Sequence, residues 1–384
     1  MSATLSFDPI RLPATCQDLR REARAFLAEQ AAKGLFDPAQ PGGGKNADHV
    51  AFAAEVAKKG WIGLTWPKRY GGQERSYLER YVLTEEFRVG NAPVRRYFTA
   101  DRQSGPTLMK YANDDIKDEI LRKIVRGEAQ FCIGLSEPNT GSDMFAANTK
   151  AKRTDGGWQI NGTKIWTTNG HTADYMIGLF RTSPPAAENR RHGLTSFLVD
   201  MHAPGVTKNL IGQMNGVRDF TETVFEDVFV PDAWVIGEID AAWKQATTEM
   251  AYERSGPERF LETIYTLFAL VDRLGATPDD RAAEGLGRLV AQLHTLRRMS
   301  VSVAGMLEAG QEPTVEGSIV KDLGTIWEQE LPYRVRELVA FDEEIDDRLA
   351  TLLPYALASA PKYTIAGGTT EVLRGIIARG LGLR

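Results

Sequence analysis

The spacing of apolar residues changes character twice along the 384-residue chain, and that double switch constrains the fold more than any other feature. Up to about residue 127 the stripes are helical. In QDLRREARAFLAEQ, Leu19, Ala23, Phe26 and Leu27 recur at helical spacing with charge on the opposite face. Similar stripes follow in AFAAEVAKKG, SYLERYVLTEEF and DDIKDEILRKIVRG, with Gly60 and Gly127 as helix stops. From Ala129 to about Pro231 the runs become short, β-branched and aromatic. FCIGL, KAKR, WQING, KIWTT, YMIGLF, SFLVD and VFEDVFV read as strands, and Asp155-Gly156-Gly157 and Asn161-Gly162 as hairpin turns. After Gly237 long helical periodicity returns in AAWKQATTEMAYER, PERFLETIYTLFALVDRL, RAAEGLGRLVAQLHTLRRMSVSVAGMLEAG and SIVKDLGTIWEQELPYRVRELVAF, with short connections that suit an antiparallel bundle. The expectation is an α+β multidomain chain: a helical domain over 1–127, a β domain over 128–236 and a helix bundle over 237–384.

Composition narrows the partners. Lys and Arg total 46 against 51 Asp and Glu, a net charge of −5, and the basic residues are scattered, which argues against a nucleic-acid or anionic-membrane partner. No apolar run approaches the roughly 18 residues of a membrane span, and MSATLSFDPIRLPA lacks the charged-then-apolar pattern of a signal peptide, so the expected location is cytoplasmic. Cys16 and Cys132 stand far apart, and the five histidines show no HExxH or HxH spacing, so neither a disulfide framework nor a metal site is expected. Gly42-Gly43-Gly44-Lys45 fails as a phosphate loop. Ala39 stands where the first glycine belongs and Asn46 where Ser or Thr belongs, leaving a flexible loop as the reading.

Two segments combine groups that suit a flat heterocycle. Leu135-Ser136-Glu137-Pro138-Asn139-Thr140-Gly141-Ser142-Asp143 is dense in hydroxyl and turn residues, although a wide surface turn would need no more. Lys164-Ile165-Trp166-Thr167-Thr168-Asn169-Gly170 ends a strand with an aromatic plane and two hydroxyls, able to stack on a ring and bond its polar edge. A lone Trp-Thr pair is more often core. Together with Trp66-Pro67-Lys68-Arg69-Tyr70-Gly71-Gly72, Val224 to Pro231 and Gly367-Gly368-Thr369-Thr370-Glu371-Val372-Leu373-Arg374, these segments resemble, in order, the patterns of the acyl-CoA dehydrogenases. Those flavoenzymes remove hydrogen from the α and β carbons of an acyl-CoA thioester.

The resemblance implies an N-terminal α-helical domain, a β-barrel or sandwich-like middle domain and a C-terminal four-helix bundle holding FAD. It assigns flavin contacts to Ser136, Trp166 and Thr168. It places Gly141 and Ser142 in a turn whose N–H groups receive phosphate or pantetheine oxygens, Ser142 touching substrate as well, and assigns further cofactor contacts to Thr369 and Glu371. For Asn139 and Thr140 turn-making is at least as good a reading. Many members place the catalytic Glu just before the Gly-Thr of the last motif, where this chain has Gly367; its N–H can still meet the thioester carbonyl. Isovaleryl-type and long-chain-type members place Glu beside Arg in the first long bundle helix, where this chain has Glu253-Arg254. Glu253 is therefore the expected base, with Glu249 one turn earlier as its competitor. Arg254 either orients the substrate or pairs with Glu258. The Gln-x-x-Gly-Gly stretch of typical members is missing from LVAFDEEIDDRLATLLPYALASAPKY, and the Arg-x-x-Phe element is unclear around Arg281 to Arg288. Such losses resemble bacterial dehydrogenases of bulky acyl-CoAs, including steroid side-chain thioesters, that assemble from unlike subunits. The implied partners are an acyl-CoA, electron-transfer flavoprotein as acceptor, and a homotetramer or a heterotetramer with a related subunit. An oxidase on the same fold and a non-catalytic subunit are the rival readings.

Overall fold

Why the first helical stripe folds as it does is visible in its partners. The computed structural model describes residues 5–242, 254–339 and 348–383, which fall into two units. One unit draws on the chain up to Asp48, from Arg75 to Pro93 and from Arg254 onward; the other draws on His49–Glu74 and the chain from Val94.

In the first unit, α1 (Ala14–Ala32) buries Cys16, Leu19, Ala23, Phe26 and Leu27, the stripe its spacing calls for. Its neighbour α3 (Tyr77–Val89) opens on a capping box: the Ser76 hydroxyl accepts the Glu79 N–H at 3.1 Å while the Glu79 carboxylate accepts the Ser76 N–H at 3.0 Å. Such a cap contributes about 1 kcal/mol. The C-terminal helices are α6 (Ile264–Leu274), α7 (Asp280–Glu308), α8 (Thr314–Leu338), α9 (Arg348–Ser359) and α10 (Thr370–Gly380). They share a core that includes Phe260, Tyr265, Leu296, Trp327, Leu331 and Leu352. Leucine-sized side chains sealed there contribute roughly 1.5–3 kcal/mol each.

The long helix expected from Pro257 onward is broken. A 3-10 turn, Pro257–Arg259, precedes α6, and Thr263 offers α6 no side-chain cap. Glu328 of α8 takes that role, its carboxylate accepting from the N–H groups of Glu262 and Thr263 and from the Thr263 hydroxyl. Burial pushes the Glu328 carboxyl up to about 8, against those bonds. Two helices hold internal prolines, Pro332 in α8 and Pro354 in α9.

The second unit sets α2 (His49–Lys58), α4 (Gly105–Tyr111) and α5 (Asp114–Val125) with an eight-stranded sheet. Its strands are β1 (Phe131–Gly134), β2 (Lys150–Thr154), β3 (Gly157–Thr168), β4 (Tyr175–Arg181), β5 (Leu194–Asp200), β6 (Val206–Ile211), β7 (Phe220–Pro231) and β8 (Val235–Ile236). They run in the order β6-β7-β3-β2-β4-β5-β8, with β1 parallel to β4. Trp158, Phe180, Phe197 and Phe225 fill the sheet's core edge to face. The Asp155-Gly156 turn forms as expected between β2 and β3, with Gly156 at φ +70°.

Asn161-Gly162 does not turn the chain. It lies inside β3, where the register against β7 slips between Ile160 and Gly162. Asn161 trades hydrogen bonds with Asp227 across the slip, 2.9 Å each way. A Cβ on Gly162, at φ +135°, would meet Thr149 at 2.8 Å, so the dipeptide serves a bulge and a close approach. Among the described residues no helix is long and apolar enough to cross a membrane.

Candidate functional site

The end of β3 is where the sheet departs from regular geometry. Its register against β7 slips again between Lys164 and Thr167, and Trp166 sits at φ +59°, a conformation that strains a bulky side chain. The indole is 56% exposed and meets Phe220 edge-on at 5.9 Å, so one face of a large apolar plane is left to solvent. Thr168 is exposed beside it, opposite Phe220 on β7. Buried on the other side of the same turn, the Thr167 hydroxyl, the Asn169 side-chain oxygen and His171 Nδ1 have no hydrogen-bond partner. A planar ligand with a polar edge fits the bare aromatic face with the exposed Thr168 hydroxyl beside it.

The loop from β1 to β2 brings Ser136 to the same place, because the Ser136 carbonyl accepts the Ile165 N–H at 2.9 Å. Glu137 and Thr140 then exchange backbone bonds at 2.8 and 3.0 Å around Pro138-Asn139, which accounts for Thr140 as a turn-maker. Gly141, Ser142 and Asp143 are exposed, and nothing lies within 4 Å of where a Gly141 Cβ would be. Asp143 reaches Arg190 at 2.6 Å.

Lys164 and Glu137, which sequence reasoning passed over as chemistry, form a buried ion pair at 2.8 Å. Lys164 Nζ also donates to the Leu135 carbonyl at 3.2 Å, and the Glu137 carboxylate accepts from the N–H groups of Asn148 and Thr149 at 2.7 and 3.0 Å. Burial pushes the Lys164 amine down to about 8 although Glu137 pulls the other way. Burial resists the charge on Glu137 too, but Lys164 and the two backbone donors outweigh it and hold the carboxyl below the usual range. A signal was present: Lys164 shares the inward parity of Trp158 and Ile160 along β3.

In the first unit the last motif forms a turn leading into α10. Gly367 and Gly368 adopt φ +68° and +98°, and the buried Lys321 donates to the Gly368 carbonyl at 2.8 Å. The Thr369 hydroxyl caps α10 through the Val372 N–H at 3.3 Å. Glu371, exposed in the first turn, is held below the usual carboxylate range by its backbone N–H and by Thr369. Arg254 is buried, its Cβ within 3.8 Å of where a Gly317 Cβ would be on α8. Glu253 and Glu249, the expected base and its competitor, lie outside the described residues. The structure thus groups Ser136, Trp166 and Thr168 at one strand end, and Gly367, Thr369 and Glu371 in one turn.

Three family models match in order: the N-terminal domain of acyl-CoA dehydrogenase over residues 13–128, the middle domain over 132–228 and the C-terminal domain over 278–382. Acyl-CoA dehydrogenase FadE34 of Mycobacterium tuberculosis is 30% identical over 327 residues, 85% of this chain but only 45% of that protein, so the chain spans less than half of that relative's length. Among solved structures, the Tcur3481-Tcur3483 steroid ACAD superposes with a TM-score of 0.84 at 28% identity, covering 97% of this chain and 99% of the other. The ChsE4-ChsE5 complex from Mycobacterium tuberculosis gives 0.82 at 27% identity over 98% and 99%. With three domain matches in sequence and a full-length structural likeness, this chain belongs to the acyl-CoA dehydrogenase family.

Proposed function

We propose that this chain is a FAD-dependent subunit that dehydrogenates an acyl-CoA thioester between its α and β carbons. The observation that carries the reading is the exposed, strained Trp166 beside Thr168, with Ser136 bonded in next to it. Bound there, FAD supplies the acceptor for the hydride that leaves the β-carbon. Trp166 offers the ring a flat face, Thr168 and Ser136 offer hydroxyls to its edge, and Gly141 and Ser142 offer N–H groups to phosphate or pantetheine oxygens. Thr369 and Glu371 serve the cofactor from the turn at α10. Glu253 takes the α-proton, and the N–H of Gly367 meets the thioester carbonyl, stabilising the charge that builds on it. Arg254 orients the substrate.

The missing Gln-x-x-Gly-Gly stretch and the likeness to the ChsE4-ChsE5 complex support a heterotetramer with a related subunit, and the likeness to a steroid ACAD supports a bulky acyl group from steroid or fatty-acid breakdown. Electron-transfer flavoprotein is the proposed acceptor.

The test is anaerobic flavin bleaching by a panel of acyl-CoAs, using the chain alone and co-expressed with a related subunit. Glu253→Gln should keep the flavin and slow its reduction by at least roughly two orders of magnitude. Reduction near the parent rate would move the base to Glu249. A folded, colourless preparation that takes up no FAD in either form sinks the reading.

A further inference from the structure

The loop from β1 to β2 is fastened by charges that touch no proposed ligand position. At its root, Lys164 Nζ bonds the Leu135 carbonyl and the Glu137 carboxylate, bracketing Ser136 on both sides, while the Ile165 N–H holds the Ser136 carbonyl between them. At its far end Arg181 of β4 donates to the carbonyls of Ala147, at 3.1 Å, and Phe145. The stretch between, with Gly141 and Ser142, is exposed.

A buried lysine is a costly way to stabilise a strand, since apolar residues of similar volume commonly do as well or better. Lys164 is fully buried and Glu137 nearly so. An apolar side chain, however, cannot bond a carbonyl on one side of Ser136 and a carboxylate on the other. The gain from the pair is a fixed position for that residue. The other groups facing it are Arg181, whose like charge disfavours the Lys164 ammonium, and the Phe180 ring, 5.3 Å from the amine.

We propose that Lys164, acting through Leu135 and Glu137, is the positioning residue that sets the Ser136 loop against the end of β3 for FAD. This deepens, and rests on, the flavoprotein reading above.

Three variants of the full chain test it: Lys164→Met, Glu137→Gln and the double variant. The FAD dissociation constant, the denaturation midpoint and hydrogen-exchange protection of the Ile165 amide are measured for each. Either single change strands a charge and should lower the midpoint and the Ile165 protection and raise the FAD dissociation constant by about tenfold or more. The double variant has no stranded charge. It should recover the midpoint while FAD affinity stays about tenfold low and the Ile165 amide stays poorly protected. Full recovery of affinity and protection along with the midpoint would overturn the proposal, as would single variants indistinguishable from the parent. If the single variants do not fold, the double variant decides. If the parent takes up no FAD either alone or co-expressed with a related subunit, the flavoprotein reading fails, and the Ile165 amide still reports whether Lys164 holds the loop.

Discussion

Each unit contains buried carboxylate held by cations, and the two use different cations. In the first, Glu85 and Glu86 of α3 receive Arg20 and Arg24 from α1 and Arg297 from α7. Glu85 accepts Arg20 at 2.8 Å and Arg297 at 2.6 and 3.0 Å, and Glu86 accepts Arg24 at 2.7 Å. Burial opposes the charge on Glu85, but Arg297 and Arg20 outweigh it and hold the carboxyl below the usual range. The bond to Glu85 raises Arg297 further above any accessible pH. In the second unit one lysine faces one glutamate, and burial brings that lysine down to about 8. Guanidinium groups keep their charge when buried; an ammonium gives its proton up. The helices are therefore stapled by a permanent cluster, and the loop at the candidate site by one that titrates.

The largest effect that sharpens this contrast comes from Glu85→Gln. It leaves Arg297 and Arg20 without their shared carboxylate, and urea unfolding should show a loss of about 3–5 kcal/mol. Lys164→Met should cost less, about 2–3 kcal/mol, because Glu137 keeps two backbone N–H donors.

The pH response should differ in sign as well as size. Lys164 releases its proton near pH 8 when docked but near 10.5, its ordinary value, when exposed, so the opened loop binds more protons between those limits. Docking should tighten as pH rises through that window, by at most about 1.4 kcal/mol per unit. Protection of the Ile165 amide, corrected for intrinsic exchange, should climb up to about tenfold from pH 8 to 9 and stay flat in Lys164→Met. A flat parent breaks the contrast. The contribution of Glu85 should not change between pH 7 and 9; it should be lost only as acid passes below the ordinary carboxylate range, through its lowered value. The smallest effect belongs to exposed pairs. Arg288→Ala, which removes a 2.7 Å contact with Glu284, should shift stability by less than about 0.5 kcal/mol.

What could be read beforehand follows the range of the interaction. The stripe of α1 was legible because its periodicity is local, and so was the turn at Asp155-Gly156. Asn161-Gly162 looked identical to a hairpin turn because what it faces, the bulge at Asp227 on β7, lies far along the chain. β6 went unread: Thr207, Lys208 and Asn209 make a polar edge strand with no apolar run. The helix α9 hid behind Pro354. At the site, Trp166, Thr168 and Ser136 stood out as a chemical set, whereas Lys164 looked like any strand residue until Glu137 was placed against it.

Trp166 also has an optical consequence. Among the described tryptophans, Trp61, Trp66, Trp158 and Trp327 are sealed in cores and Trp234 is half-buried, leaving Trp166 alone with most of its ring in water. Its emission should lie furthest to the red and yield first to a small polar quencher such as acrylamide. Among the described tryptophans Trp166 is thus the reporter: red-edge excitation favours the indole that a bound ring would cover, and the quencher-shielded fraction lost in Trp166→Phe is the part that follows ligand arrival.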